Sequence, residues 1–213
     1  RQRQMCIRDS LDAYNNVPAV GHCNPHVVEA ISRQAATLNS NTRYLTTTLI
    51  DYSERLLATH DPAIDQLLYT CSGSEANDLA IRLARYETGG DAVIVTSHAY
   101  HGLTASIAEM SPTLGPNVPL GAKTVTIEAP DYANVDDAET VGAAMASRVS
   151  EAIAHLERHG MRLAALLVDT VFSSDGLITS PPGFLAPVVG VVHAAGGFFI
   201  ADEVQAGLSL IHI

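Results

Sequence analysis

Apolar positions along the chain fall into two alternating patterns. Short runs rich in Val, Ile, Leu and Ala at residues 67–70, 92–96, 124–127, 164–168 and 198–201 predict strands. Longer stretches with apolar residues three and four apart predict helices over 25–38, 49–59, 74–87, 142–159 and 184–195. Strands alternating with helices predict an α/β fold, a three-layer sandwich with a mostly parallel central sheet. In the helix after residue 74, Ala76, Leu79, Ala80 and Leu83 repeat at i, i+3, i+4 and i+7 and predict the buried stripe. Ser72 and Glu75 have the spacing of a capping box, and Gly89-Gly90 stop the pattern. The Pro- and Gly-containing stretch 111–137 reads as an excursion between sheet elements, and no internal repeat stands out.

The junction LLYTCSGSEANDLAIRLAR, residues 67–85, joins a strand-like run to that helix through Ser72-Gly73-Ser74. A helix start carries unpaired N–H donors and a partial positive charge. A glycine there lets an anion approach the backbone, and Ser72 or Ser74 adds a hydroxyl, so the junction predicts an anion seat; a simple helix cap is the other reading. Asp169 and Asp202-Glu203 likewise follow predicted strands. All three sites fall at strand C-terminal ends, the edge where open α/β sheets bind ligands. For Asp169 alone a polar strand end is the favoured reading. The turn matches neither G-x-x-x-x-G-K-[ST] nor G-x-G-x-x-G. His98 and His101 lack the spacing of a zinc site, so no metal is expected. Cys71 at the junction reads as a small buried residue rather than a nucleophile.

Composition narrows the partners. A chain of 213 residues with 47% hydrophobic and 16% charged content can bury a full core. Its net charge of −11, with 12 Lys plus Arg, argues against nucleic acid or an anionic membrane as a partner. Cys6, Cys23 and Cys71 are odd in number and widely spaced, which predicts reduced thiols. No apolar run approaches a membrane span or a signal-peptide core, so the expected compartment is the cytoplasm. Residues 1–10 and 208–213 read as non-native tails, leaving an N-terminal segment at 11–45 and a large domain at 46–207. The chain has one lysine, Lys123, at the N-terminal end of the predicted strand 124–127. That places it away from the ligand edge, as a surface lysine.

Three blocks in order, CSGSEANDLAIRLAR at 71–85, SHAYHG at 97–102 and FIADEVQAG at 199–207, resemble the class III (omega) aminotransferases of the pyridoxal-phosphate fold type I superfamily. The resemblance covers roughly residues 11–207. NNVPAVGHCNP at 15–25 and NTRYL at 41–45 are similar to the branch that contains ethanolamine-phosphate phospho-lyases, with Asn24 where that branch usually has His. The resemblance implies a fold type I large domain, incomplete here, with pyridoxal 5'-phosphate as cofactor. It implies that Gly73 and Ser74, with Ser72, bind the cofactor phosphate and that Tyr100 stacks on the pyridine ring. Asp202 would pair with the ring nitrogen, keeping it protonated so that electrons flow into the ring. Val204 would pack the opposite ring face, and Gln205 would approach the phenolic oxygen. His101 and Gly102 complete the second block. Asp169 stands where many relatives carry Glu-Pro and is a further candidate. So is Arg43, which reads either as a binder of carboxylate or phosphate or as a tie for the N-terminal segment.

Family members are considerably longer, and the lysine that forms their Schiff base with the cofactor lies beyond the position of Gly207. The expectation is therefore a fragment that lacks the catalytic amine and does not turn over alone. Its parent is expected to move an amino group from an amine or amino acid to a 2-oxo acid, as a homodimer. The alternatives are a phospho-lyase acting on an amino alcohol phosphate and a non-catalytic fragment that binds the cofactor.

Overall fold

The computed structural model describes residues 20–40, 43–131 and 137–207. The chain divides into two compact units, Arg1–Tyr69 and Thr70–Ile213. The first carries α1 (Pro25–Thr37) and α2 (Thr47–Leu57). Each starts on a side-chain cap: the Asn24 side chain accepts from the His26 N–H at 3.1 Å, and Thr46 accepts from the Leu49 N–H at 3.3 Å. Residues 15–19, 41 and 42, which belong to the two N-terminal blocks, lie outside the described residues, as do both terminal tails.

The second unit is built on a four-stranded sheet in the order β2-β1-β3-β4, parallel throughout: β1 Ala92–Thr96, β2 Thr124–Ile127, β3 Leu163–Asp169 and β4 Phe198–Asp202. Every residue of β1 and β3 is buried, as a sheet covered on both faces requires. Side chains alternate between two cores. Ile94, Leu166 and Val168 face Met145, Val149 and Leu156 of α5 (Ala138–Arg158) and Val188 and Val192 of α6 (Ala186–Ala194). Val93, Val95, Ala165 and Leu167 face Ile81 and Ala84 of α3 (Gly73–Thr88). The expected three layers are present.

Four sequence expectations change. Residues 67–70 form no strand, and Leu68 and Tyr69 are 69% and 44% exposed. A short apolar run becomes a strand only beside a partner, and none pairs with it among the described residues. The buried stripe of α3 is Asn77, Ile81 and Ala84, whereas Ala76 is exposed and Leu83 is 47% exposed. The helix is rotated relative to its apolar count because its core-facing row contains a polar residue. Asp169 and Asp202 do not follow their strands but end them, as the last register pair of β3 and β4. Within 97–123 the chain adds a helical turn, α4 (Ala105–Ala108), and a 3-10 turn at Pro112–Leu114, both too short to show a period.

α5 begins four residues before its predicted start because Asp137 caps it, accepting from the N–H groups of Glu139 and Thr140 at 3.2 and 3.0 Å. The Thr140 hydroxyl bond, then the Thr140 and Glu139 amides, hold the Asp137 carboxyl below its ordinary value of 3.8. Its folded value is depressed, so its contribution to stability is present above the unfolded value and is lost as pH falls through the folded one. Thr140→Val is expected to move the Asp137 midpoint back toward 3.8 in a carboxyl-carbon NMR titration. An unchanged midpoint would contradict the assignment to that hydroxyl.

Candidate functional site

The C-terminal ends of β1, β3 and β4 lie along one edge of the sheet, and the start of α3 joins them there. Asp202 ends β4, and its Oδ1 accepts from the Val204 N–H at 3.1 Å, a local bond that turns the chain out of the strand. Its Oδ2 accepts from Asn77 Nδ2 at 2.8 Å and lies 2.7 Å from His101 Nδ1. A carboxylate only accepts, so Nδ1 carries the imidazole proton in this contact. His101 Nε2 is buried with no hydrogen-bond partner among the described residues. Asn77 Nδ2 also donates to the His101 carbonyl at 2.9 Å. Both atoms facing this nitrogen are acceptors, which fixes the amide orientation. Asp202, His101 and Asn77 are 5%, 2% and 5% exposed, so three distant stretches of sequence meet in a buried polar cluster.

Next to that cluster is the first turn of α3. Ser72 Oγ accepts from the Glu75 N–H at 3.2 Å, and Glu75 Oε2 reaches back to the Cys71 N–H at 2.8 Å. The capping box is present, with its return bond one residue earlier than the usual pattern. Ser72 is thus engaged in capping, while the N–H groups of Gly73 and Ser74, the first two of the helix, have no intrahelical acceptor. Ser74 Oγ accepts from the Leu103 N–H at 3.1 Å and so ties the SHAYHG loop to the helix. Two glycines allow these approaches. A Cβ at Gly73 would lie 2.5 and 2.9 Å from the Val204 methyls, and one at Gly102, whose φ is +127°, would lie 2.8 Å from Ser74 Cα. Cys71 is exposed rather than buried, because the chain before α3 runs along the surface.

The structure brings Gly73, Ser74, His101, Gly102, Asp202 and Val204 together. Tyr100 and Gln205, both half-buried, adjoin them in the same two loops, directly before His101 and after Val204. Arg43 belongs to the first unit. Asp169 turns back on its own loop, accepting from the N–H groups of Val171 and Ser173 at 3.0 Å each and from the Ser173 hydroxyl. Asp175 ties the loop after β3 to β1, accepting from Thr96 Oγ1 at 2.6 Å and the His98 N–H at 3.1 Å. Lys123 pairs with Asp91 at the N-terminal ends of β2 and β1, the opposite edge of the sheet. Asn77 is the residue that sequence reasoning missed; the available signal was an Asn in line with Ile81 and Ala84 on an otherwise apolar row.

Open amides at a helix start, two side-chain-free approaches and a buried carboxylate anchored by three donors fit a flat, phosphate-bearing heterocycle. The family model described as Aminotransferase class-III matches residues 8–210. Over 216 residues the chain is 36% identical to a Drosophila melanogaster protein named alanine--glyoxylate aminotransferase 2-like, covering 94% of this chain and 42% of that protein. A phospholyase from Arthrobacter, solved in complex with phosphoethanolamine, has a TM-score of 0.82 and 43% identity, over 92% of this chain and 47% of that one. The taurine:2-oxoglutarate aminotransferase from Bifidobacterium kashiwanohense, in complex with PLP and glutamate, has a TM-score of 0.74 and 26% identity, over 88% of this chain and 44% of that one. The chain spans less than half the length of each of these proteins.

Proposed function

Because this chain belongs to the class III aminotransferase family, whose cofactor is pyridoxal phosphate, we propose that its second unit is the cofactor cradle of an enzyme that acts on a small phosphorylated amine. The observation that carries the cradle is the buried Asp202 carboxylate, held by Asn77, His101 and the Val204 amide beside the open start of α3. When bound, the cofactor supplies an electron sink for the pair released as a proton leaves the amine-bearing carbon of the substrate. The amides of Gly73 and Ser74 would hold its phosphate. Asp202 would keep a proton on its ring nitrogen, an anionic acceptor beside a cationic ring. Tyr100 and Val204 would hold the ring flat from its two faces, and Gln205 would donate to the phenolic oxygen.

For the parent protein, elimination of phosphate from an amino alcohol phosphate is the leading reading. Support comes from the 43% identity to the Arthrobacter phospholyase, against 26% to the taurine aminotransferase. Transfer of the amino group to a 2-oxo acid is the second reading, favoured by the 36% identity to the Drosophila protein. The parent is proposed to be a cytoplasmic homodimer.

Lys123, engaged with Asp91 at the far edge of the sheet, cannot serve the cradle as a base. A chain whose single lysine is so placed has no side-chain amine to hold the cofactor covalently or to shuttle the substrate proton. The 213-residue chain is therefore expected to bind pyridoxal phosphate yet release no phosphate from phosphoethanolamine and transfer no amine to pyruvate above the buffer rate. Turnover by the purified chain would sink this reading. In a longer protein with a lysine-bearing segment after Gly207, phosphate release outpacing transfer supports the phospho-lyase, and the reverse supports the transaminase.

A further inference from the structure

Asn77 lies one helical turn past the Gly73-Ser74 seat, and its side chain reaches two other elements. Both hydrogens of its side-chain amide are used: one goes to Asp202 Oδ2 at 2.8 Å, the other to the His101 carbonyl at 2.9 Å. His101 Nδ1 takes the second place on Oδ2 at 2.7 Å, whereas Oδ1 accepts from the Val204 N–H alone at 3.1 Å. Each carboxylate oxygen has about two lone-pair directions. Oδ2 is therefore filled, and Oδ1 retains one open direction among the described residues. Val204 follows Asp202 closely in the chain and Oδ1 bonds it locally, so that contact cannot report the position of α3. Asn77 can, because it is carried by α3 itself, and its separations from His101 and Asp202 are 24 and 125 residues.

We propose that Asn77 is a positioning residue: it saturates Oδ2 so that Oδ1 is the atom presented to the cofactor ring nitrogen, and it ties that carboxylate to the helix whose first turn seats the phosphate. The inference rests on the cradle reading above. An Asn at this core-facing position, in a row continued by Ile81 and Ala84, has no packing advantage over Leu. Its amide serves the carboxylate. A cofactor held at its phosphate by one end of α3 and at its ring nitrogen by a group fixed to the same helix is bound at two points of a single rigid element. Loss of Asn77 leaves Asp202 in place on His101 and Val204 but frees its carboxylate plane to turn.

The test uses the whole chain with pyridoxamine 5'-phosphate labelled with nitrogen-15 in the ring, a form that needs no lysine to bind. Ring-nitrogen chemical shift against pH, affinity by equilibrium dialysis and thermal melting are read for the unmodified chain, Asn77→Leu, Asn77→Ser, Asp202→Asn and the double variant Asn77→Leu/Asp202→Asn. The Asp202 carboxylate faces Asn77 directly, and the titratable His101 ring faces that carboxylate. Asn77→Leu leaves the His101 carbonyl and Asp202 Oδ2 each one donor short, and is expected to melt below the unmodified chain, bind about tenfold more weakly, as for one lost hydrogen bond to a charged group, and release the ring proton at lower pH. Asn77→Ser keeps a donor and covers the case in which leucine does not fold. In the Asp202→Asn background, Asn77→Leu should leave the ring-nitrogen titration unmoved, because Asn77 acts through Asp202. Unmodified ring titration and affinity in both Asn77 variants would overturn the positioning role while leaving the cradle intact. Absence of binding by the unmodified chain, or a ring nitrogen indifferent to Asp202→Asn, would overturn the cradle itself.

Discussion

Asp202→Ala is expected to cost about 3 kcal/mol of folding stability and to abolish tight binding of pyridoxamine phosphate. The carboxylate accepts from the Asn77 amide, the Val204 amide and His101 Nδ1, and its removal leaves these donors without an acceptor. Asn77 and His101 are almost fully buried, so water does not readily replace the lost oxygens. Each orphaned buried donor costs about 1–3 kcal/mol. Removing a buried charge recovers part of its own desolvation, which keeps the total near the lower end of the sum for three donors. Against a typical stability of about 5–15 kcal/mol this is a large fraction, and urea unfolding followed by far-UV circular dichroism measures it. Asp202→Asn keeps one oxygen and should lose only about 1 kcal/mol, yet it presents a neutral amide to the ring nitrogen, so its binding defect should far exceed its stability defect. An Asp202→Ala chain as stable as the original would mean that the polar cluster is not formed as described.

That cluster also marks where sequence reading stops. The bounds of β1 and β2 were legible because each is an uninterrupted run of strand-forming residues between polar neighbours. The start and end of α3 were legible from Ser72, Glu75 and Gly89, whose roles are local: the capping box and the left-handed Gly89 both lie within a turn of the helix end. Its orientation was not. The apolar count favoured Ala76, Leu79, Ala80 and Leu83, whereas the helix buries Asn77, and only contact with two residues brought in by other elements makes a buried Asn tolerable. Residues 67–70 failed for a related reason, since a strand is decided by its neighbour and not by its own composition. Gly73, Gly102 and Asp202 could be singled out by resemblance, but the reasons for them appear only in three dimensions. Gly73 faces Val204, Gly102 faces Ser74, and the partners of Asp202 come from α3 and from the loop after β1. Asp169 shows the converse: a residue in register with Asp202 at the same sheet edge serves its own turn instead.

Among the glycines, Gly102→Ala is expected to do the most damage, about 3–5 kcal/mol, together with loss of phosphate-dependent binding. Two separate costs combine. The backbone at Gly102 has φ +127°, a conformation that costs a residue with a Cβ about 1–3 kcal/mol. The new methyl would also lie 2.7 and 2.8 Å from Ser74 Cβ and Cα, and the backbone of a helix cannot rotate out of the way, so overpacking adds about 1–3 kcal/mol. Relief requires the SHAYHG loop to lift off α3, which breaks the Leu103 N–H bond to Ser74 Oγ and disturbs the turn proposed to seat the phosphate. Gly73→Ala makes an informative contrast. The atoms nearest its methyl all belong to the side chain of Val204, which is 60% exposed and can turn away, so the fold should lose about 1 kcal/mol or less. The displaced valine is the residue proposed to pack the ring, so binding should weaken with little change in melting. Gly160→Ala supplies the backbone cost alone, since Gly160 has φ +70° and an added methyl there would meet nothing within 4 Å, and it should cost about 1–2 kcal/mol. Urea unfolding of the three variants separates strain from contact. If Gly102→Ala loses no more than Gly160→Ala, the close approach of the loop to Ser74 is not what requires glycine there, and the proposed seat loses its main steric support.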